Sequence, residues 1–150
     1  MSTQFPPFGY MEFSPDGYLT DGQDFAMGDT PVHVSLTPGH TPGCLSFLVP
    51  VYDEGRAHMA ALWGGTGLPR NHELLQYRQS AISFSKLCDE KEVDVEIAAH
   101  PFVDNSIERF EVVRSIVDGV ANPYVIGRDI CRRYEQMFLN LCLRRIEAEG

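Results

Sequence analysis

The chain has 150 residues, 43% of them hydrophobic and 11% aromatic, enough to build one packed domain and too apolar for general disorder. Twelve basic residues against 21 acidic ones give a net charge of -9, so such a surface repels nucleic acid and a polyanion-binding role is disfavoured. No apolar run approaches the roughly 20 residues of a membrane span, and residues 1–10 carry neither a basic n-region nor a long apolar stretch. The expectation is a cytoplasmic protein with no secretory signal and no membrane partner.

Residues 1–20 carry Pro6, Pro7, Gly9, Pro15 and Gly17, which reads as an irregular N-terminal arm lying against another surface. This lead does not look like a strand cut in half. Residues 21–150 read as one ordered unit. A short strand is expected at 25–27, a hairpin turn at Gly28-Asp29, and a second strand at 32–36. In that second strand Val32, Val34 and Leu36 share one face, and His33 and Ser35 the other. Strands at 44–51 and 58–63 follow, joined by Asp53-Glu54-Gly55 as an antiparallel pair. A helix is expected over 73–91, with Leu74, Tyr77, Ala81, Phe84, Leu87 and Cys88 as its apolar stripe. Then come a strand at 93–99, a helix from an Asn105 or Ser106 cap to Val117 with Glu108 near its positive end, and a break at Asn122-Pro123. The last helix is expected over 128–147, burying Ile130, Tyr134, Met137, Phe138 and Leu141.

This order implies an α/β fold, a mostly antiparallel sheet with helices on one face. The other face of the sheet is also apolar at several strands and needs a cover that need not come from this chain. Cys44, Cys88, Cys131 and Cys142 form no C-x-x-C pair, so free, buried thiols are expected rather than a zinc knuckle or a redox motif.

The strongest local signal is Thr37-Pro38-Gly39-His40-Thr41-Pro42-Gly43. Two Pro-Gly dipeptides bracket one histidine directly after a strand. Proline fixes φ and glycine permits tight turns, so His40 is presented from stiff backbone, as a metal ligand needs. The plain alternative is a strand-ending turn with a surface histidine. His100 repeats the geometry after the strand at 93–99, followed by Pro101. Two histidines at the ends of two strands can converge on one sheet edge, where α/β proteins place their sites.

These residues carry a resemblance. The stretch from Asp21-Gly22-Gln23 through Gly28-Asp29-Thr30, then 34–43, 60–66 and 98–102, resembles the second half of a metallo-β-lactamase-fold hydrolase. The T-P-G-H-T-P-G loop is its most specific piece, and the A-L-W-G-G-T and A-A-H-P-F strand ends follow in order. The resemblance covers about residues 20 to 148 and leans towards the B3-like branch, since Gly64, Gly65 and Thr66 stand where many other branches carry a metal-bridging aspartate. It implies half of an αββα sandwich. It also implies a zinc ligand at His40, a second at His100, a substrate-facing position at Thr66, and a loop around His72 bordering the substrate cleft. For His72 a solvated helix N-terminus is the alternative. His33 and His58 match no ligand and belong to sheet faces.

The departure from the family matters as much. Its H-x-H-x-D-H motif, which supplies most zinc ligands, is absent: the chain contains no H-x-H and no D-H. A catalytic zinc generally takes three protein ligands plus water, so zinc is possible but its site is incomplete here. Three readings follow. The chain is a truncated hydrolase of the ester, lactone, thioester or β-lactam class, whose missing half a partner chain supplies. Or it is a metal-independent homodimer that binds a small-molecule ligand, or runs acid–base chemistry of the isomerase or cyclase type, in the reused cleft. Or it is an inactive piece of a larger enzyme.

Overall fold

A computed structural model describes residues 15–69, 73–115, 117 and 119–149. Residues 1–14 of the expected arm and His72 lie outside them. Five strands form one sheet in the order β1-β2-β3-β4-β5: β1 (Asp24–Met27), β2 (Thr30–Leu36), β3 (Leu45–Asp53), β4 (Arg56–Trp63) and β5 (Val95–Ala98). The first four pair antiparallel as a meander, and β5 joins β4 in parallel. A parallel pair needs a long crossover, and α1 (Leu74–Glu90) supplies it. After β5 come the single turn α2 (Pro101–Asp104), α3 (Ser106–Arg114) and the long α4 (Arg128–Glu149).

The two hairpins form for stated reasons. Gly28 takes φ 63° in the two-residue turn between β1 and β2. Glu54 and Gly55 both take positive φ (47° and 79°) between the paired Asp53 and Arg56, the pattern whose twist matches a β-hairpin. The strands also fix two unlike faces. On the helix side lie Ser46 and Leu48 of β3, Met59, Ala61 and Trp63 of β4, and Glu96 of β5. α1 and α4 pack here, and Trp63, Tyr77, Phe84 and Phe138 make the centre of the core. The second face is nearly all apolar: Val32 and Val34 of β2, Phe47 and Val49 of β3, Ala60 and Leu62 of β4, and Val95 and Ile97 of β5. Phe47, Val49, Leu62 and Ile97 on it are only half-buried. The expected α/β sheet with helices on one face is what the structure has.

Several expectations are corrected in detail. Ile130, Met137 and Leu141 are exposed, whereas Cys131, Glu135, Phe138 and Cys142 are buried. α4 therefore turns a stripe one position on from the most apolar one towards the core, and that stripe contains a carboxyl. The helix expected to reach Val117 ends at Arg114, and none of its residues is buried, so no packed face extends it. Val93 is buried but precedes β5. The cap of α3 is neither Asn105 nor Ser106 by side chain. Asn105 sits in the left-handed region (φ 54°) without a capping bond. The buried Asp104 does the work instead: its carboxylate accepts from the Ser106 amide (3.0 Å) and hydroxyl, and from the Ala98 amide (2.9 Å) at the end of β5. No helix among the described residues is long and apolar enough to cross a membrane.

Candidate functional site

β2, β4 and β5 run in the same direction, because β3 is antiparallel to both β2 and β4 and β5 is parallel to β4. Their C-terminal ends therefore open on one edge of the sheet. The loops leaving them carry His40, Thr66 and His100 respectively. Alternating chain direction thus brings together residues up to 60 positions apart, at the kind of edge where sheet proteins bind ligands.

The His40 loop is built as a rigid bracket. Its backbone closes on itself through Thr37 N to Cys44 O (2.8 Å), Gly39 N to Thr41 O (3.2 Å) and Cys44 N to Thr41 O (3.3 Å). Thr37 is buried and its hydroxyl shares a hydrogen bond with Ser46 Oγ (2.8 Å), which also accepts from the Gly64 amide (3.1 Å) of the neighbouring loop. α1 then seats the bracket: Ser80 Oγ donates to the Pro38 carbonyl (2.7 Å), and Gly39 lies against the backbone of Tyr77. Gly39 has to be glycine twice over. Its φ is 133°, and a Cβ there would come within 2.4 Å of Tyr77 Cα.

Tyr77 ties the second loop to the same helix. Its hydroxyl donates to the Gly65 carbonyl (2.6 Å) and accepts from Trp63 Nε1 (3.1 Å). Burial lifts the phenol to about 12, so it stays a donor across the neutral range. The two loops finally meet at the histidine itself. His40 Nδ1 donates to the Gly67 carbonyl over 2.7 Å, and the ring rests so close to Gly67 that a Cβ there would lie 2.9 Å from Cε1. A carbonyl only accepts, so Nδ1 carries a proton, and in the neutral ring the lone pair is then on Nε2. That is the tautomer, fixed by a backbone carbonyl, that a metal-ligating histidine requires.

His100 is held less firmly. It is exposed, its carbonyl accepts the Val103 amide (2.9 Å) at the start of α2, and its ring stacks on the exposed Phe102 at 5.5 Å. Thr66 is half-buried beside the anchored Gly67. Among the described residues no group of three or more His, Cys, Asp or Glu side chains could hold a metal ion. The donor set among the described residues therefore does not fit a complete metal centre, although His40 has the geometry of a single ligand. The thiols supply no substitute. All four are free and buried, and burial raises each of them, Cys131 to about 12.

His33 and His58 stand away from this edge, as expected, each paired with a carboxylate: His33 with Asp24 and His58 with Asp94, both at 2.6 Å. Reading residues along the chain missed the bracket beneath His40. Thr37, Ser46, Tyr77 and Ser80 are unremarkable polar or aromatic residues until the sheet and α1 bring them together. The glycines at 64, 65 and 67 were the available signal, since each sits where a side chain would collide with a neighbour.

No protein-family model matches the chain, and no curated protein matches it significantly. Solved structures do. The native FEZ-1 metallo-β-lactamase from Legionella gormanii is similar with a TM-score of 0.70 at 22% identity, over 87% of this chain and 50% of that one. The subclass B3 metallo-β-lactamase BJP-1 of Bradyrhizobium japonicum gives 0.62 at 21%, over 90% and 53%. The Rm3 metallo-β-lactamase gives 0.64 at 27%, over 87% and 50%. The chain spans about half the length of these neighbours. Its fold is a partial metallo-β-lactamase fold, like that of the B3 enzymes.

Proposed function

We propose that the chain is the C-terminal half of a metallo-β-lactamase-like hydrolase, contributing His40 and His100 as one zinc ligand each and Thr66 and the loop around His72 as cleft wall. The observation that carries this reading is the His40 bracket: a histidine at a shared strand edge, with Nδ1 committed to a backbone carbonyl and Nε2 left free. A loop of ordinary turn function has no need of that many tethers. Among the described residues no further ligands join them, so in this reading the remaining ligands come from a partner and the chain hydrolyses nothing by itself. The apolar second sheet face supports a sheet-bearing partner, either a separate chain or a second copy in a homodimer. The substrate class is an ester, lactone, thioester or β-lactam. Four buried, unpaired thiols support a reducing compartment, the cytoplasm.

A second reading is favoured by the lack of a three-ligand group among the described residues. In it a homodimer reuses the cleft without metal, binding a small molecule or running acid–base chemistry on His40 or His100. Light scattering and elemental analysis on one sample separate these. The first reading expects an oligomer or a complex, substoichiometric zinc in the chain alone, and hydrolysis of a chromogenic β-lactam only with a complementing partner. The second expects a metal-free dimer. A monomer that holds stoichiometric zinc and hydrolyses the β-lactam unaided refutes both.

A further inference from the structure

α4 keeps an apolar stripe outside the core. Ile130, Met137 and Leu141 are 52%, 40% and 46% exposed, while the stripe turned inward holds the buried Glu135. At 3.6 residues per turn the two stripes lie about a third of a turn apart around the helix. Within the chain α4 packs chiefly on α1 and β5. It belongs to the helix layer, on the opposite side of the sheet from the apolar face assigned to a partner sheet. The exposed stripe is therefore not core left open by a half-fold.

Two arginines complete it. Arg133 and Arg144 line one shallow groove with Met137 and Leu141, and the order along the helix is Ile130, Arg133, Met137, Leu141, Arg144. The spacing is symmetric about Met137, with positions four and seven residues away on each side. The chemistry is complementary rather than symmetric, because each apolar position on one side is matched by an arginine at the same distance on the other. Laid end for end on a copy of itself, the stripe sets Ile130 against Arg144, Arg133 against Leu141, and Met137 against Met137. Arginine stems are apolar and cover such residues while their heads stay in water, and Arg144 keeps Glu147 as its own partner (3.3 Å). One residue further out on each side, Asp129 meets Arg145. A parallel pairing would instead set Arg133 on Arg133 and Arg144 on Arg144.

The charge of the whole chain selects the same surface. Two bodies of net charge -9 repel each other. Five of the ten arginines lie on α4, so this helix is where two copies approach with least repulsion. Methionine and arginine are also residue types enriched at protein interfaces.

We propose that α4 docks on α4 of a second copy of this chain, antiparallel about a two-fold axis at Met137, with Asp129 of each copy paired to Arg145 of the other. Such a contact is isologous and closes as a dimer. Five side chains from each helix make an interface at the small end of the known range, so the dimer dissociates at roughly micromolar concentrations. The contact is separate from the His40 edge and from the apolar sheet face, and it does not rest on the hydrolase reading.

The test is light scattering of the full chain from about 5 to 500 µM, a range that brackets such a Kd. The expected result is a mass that rises with concentration. Met137→Glu, at an exposed position, puts like charges on the axis and should weaken the association about tenfold with an unchanged circular dichroism spectrum. Leu62→Glu, on the apolar sheet face, should leave this contact intact. Asp129→Arg alone and Arg145→Asp alone each bring like charges together twice and should also weaken it about tenfold. Mixed in equal amounts, those two variants should associate as the wild type does, because each mixed pair then holds two opposite-charge contacts. A structural role of either residue within its own chain would give no such rescue. The proposal is overturned by a wild-type chain that stays monomeric over the whole range, by a folded Met137→Glu variant that associates as before, by an association that Leu62→Glu removes and Met137→Glu does not, or by a charge-swapped mixture that associates no better than its components.

Discussion

Glu96 offers the sharpest test of the energetics. It lies on β5 opposite Ala61, 1% exposed, facing the equally buried Glu135 of α4. Neither of its side-chain oxygens has a hydrogen-bond partner among the described residues. Around the pair stand Cys88 and Asp89 of α1 and Cys131 and Tyr134 of α4, and the charge of Arg109 of α3 opposes the shift of Glu96. Burial first, then the charge of Glu135, holds the Glu96 carboxyl far above its ordinary 4.5, and burial raises Glu135 by less. A carboxyl raised in the folded state keeps its proton there while the unfolded chain has already released it. The contribution is fully present below pH 4.5 and is lost as pH rises towards the folded value. Each retained proton costs about 1.4 kcal/mol of stability per pH unit in that window. From pH 5 to pH 7 one retained proton on Glu96 therefore removes about 3 kcal/mol. Glu96→Gln is neutral in both states and deletes that slope. Urea unfolding followed by circular dichroism at pH 5, 6, 7 and 8 should show the variant gaining about 3 kcal/mol on the wild type between pH 5 and 7. A wild-type profile that is flat or rising over this range, or a variant with an unchanged slope, refutes the argument.

Three further outcomes test the bracket and the turns. Gly39→Ala should cost several kcal/mol or prevent folding, because both its φ of 133° and the 2.4 Å approach to Tyr77 forbid a Cβ, while Gly43→Ala, with open space around it, should change the melting temperature little. Tyr77→Phe strands the Gly65 carbonyl and Trp63 Nε1 and should cost about 1–3 kcal/mol in urea unfolding. It should also loosen the Gly67 loop, read as faster amide exchange at 64–67. Glu54→Asn relieves a non-glycine residue at φ 47° and should stabilise the hairpin by about 0.5–1 kcal/mol, seen as a higher urea midpoint with an unchanged slope.

Much of the fold was legible in the sequence because it depends on short-range rules. The turns at Gly28 and Glu54-Gly55, the alternation along β2 and the apolar stripe of α1 at 74, 77, 81, 84 and 88 need only the local chain. α4 was not legible in the same way. Its sequence carries two apolar stripes, and choosing between them requires knowing that Glu96 across the sheet can face Glu135. The cap of α3 also escaped, because Asp104 acts on Ser106 and on Ala98 at once.

The site divides along the same line. Residue types and spacing alone determined that His40 and His100 end strands on stiff, proline-bounded backbone, and that the chain lacks a full set of metal ligands in any recognisable motif. Only the tertiary structure decided which strand ends share an edge, which ring nitrogen of His40 is free, and that α1 clamps the loop beneath it. Strand direction and hydrogen-bond geometry between residues 27 apart, such as His40 and Gly67, are set by packing of the whole sheet, and no local pattern encodes them.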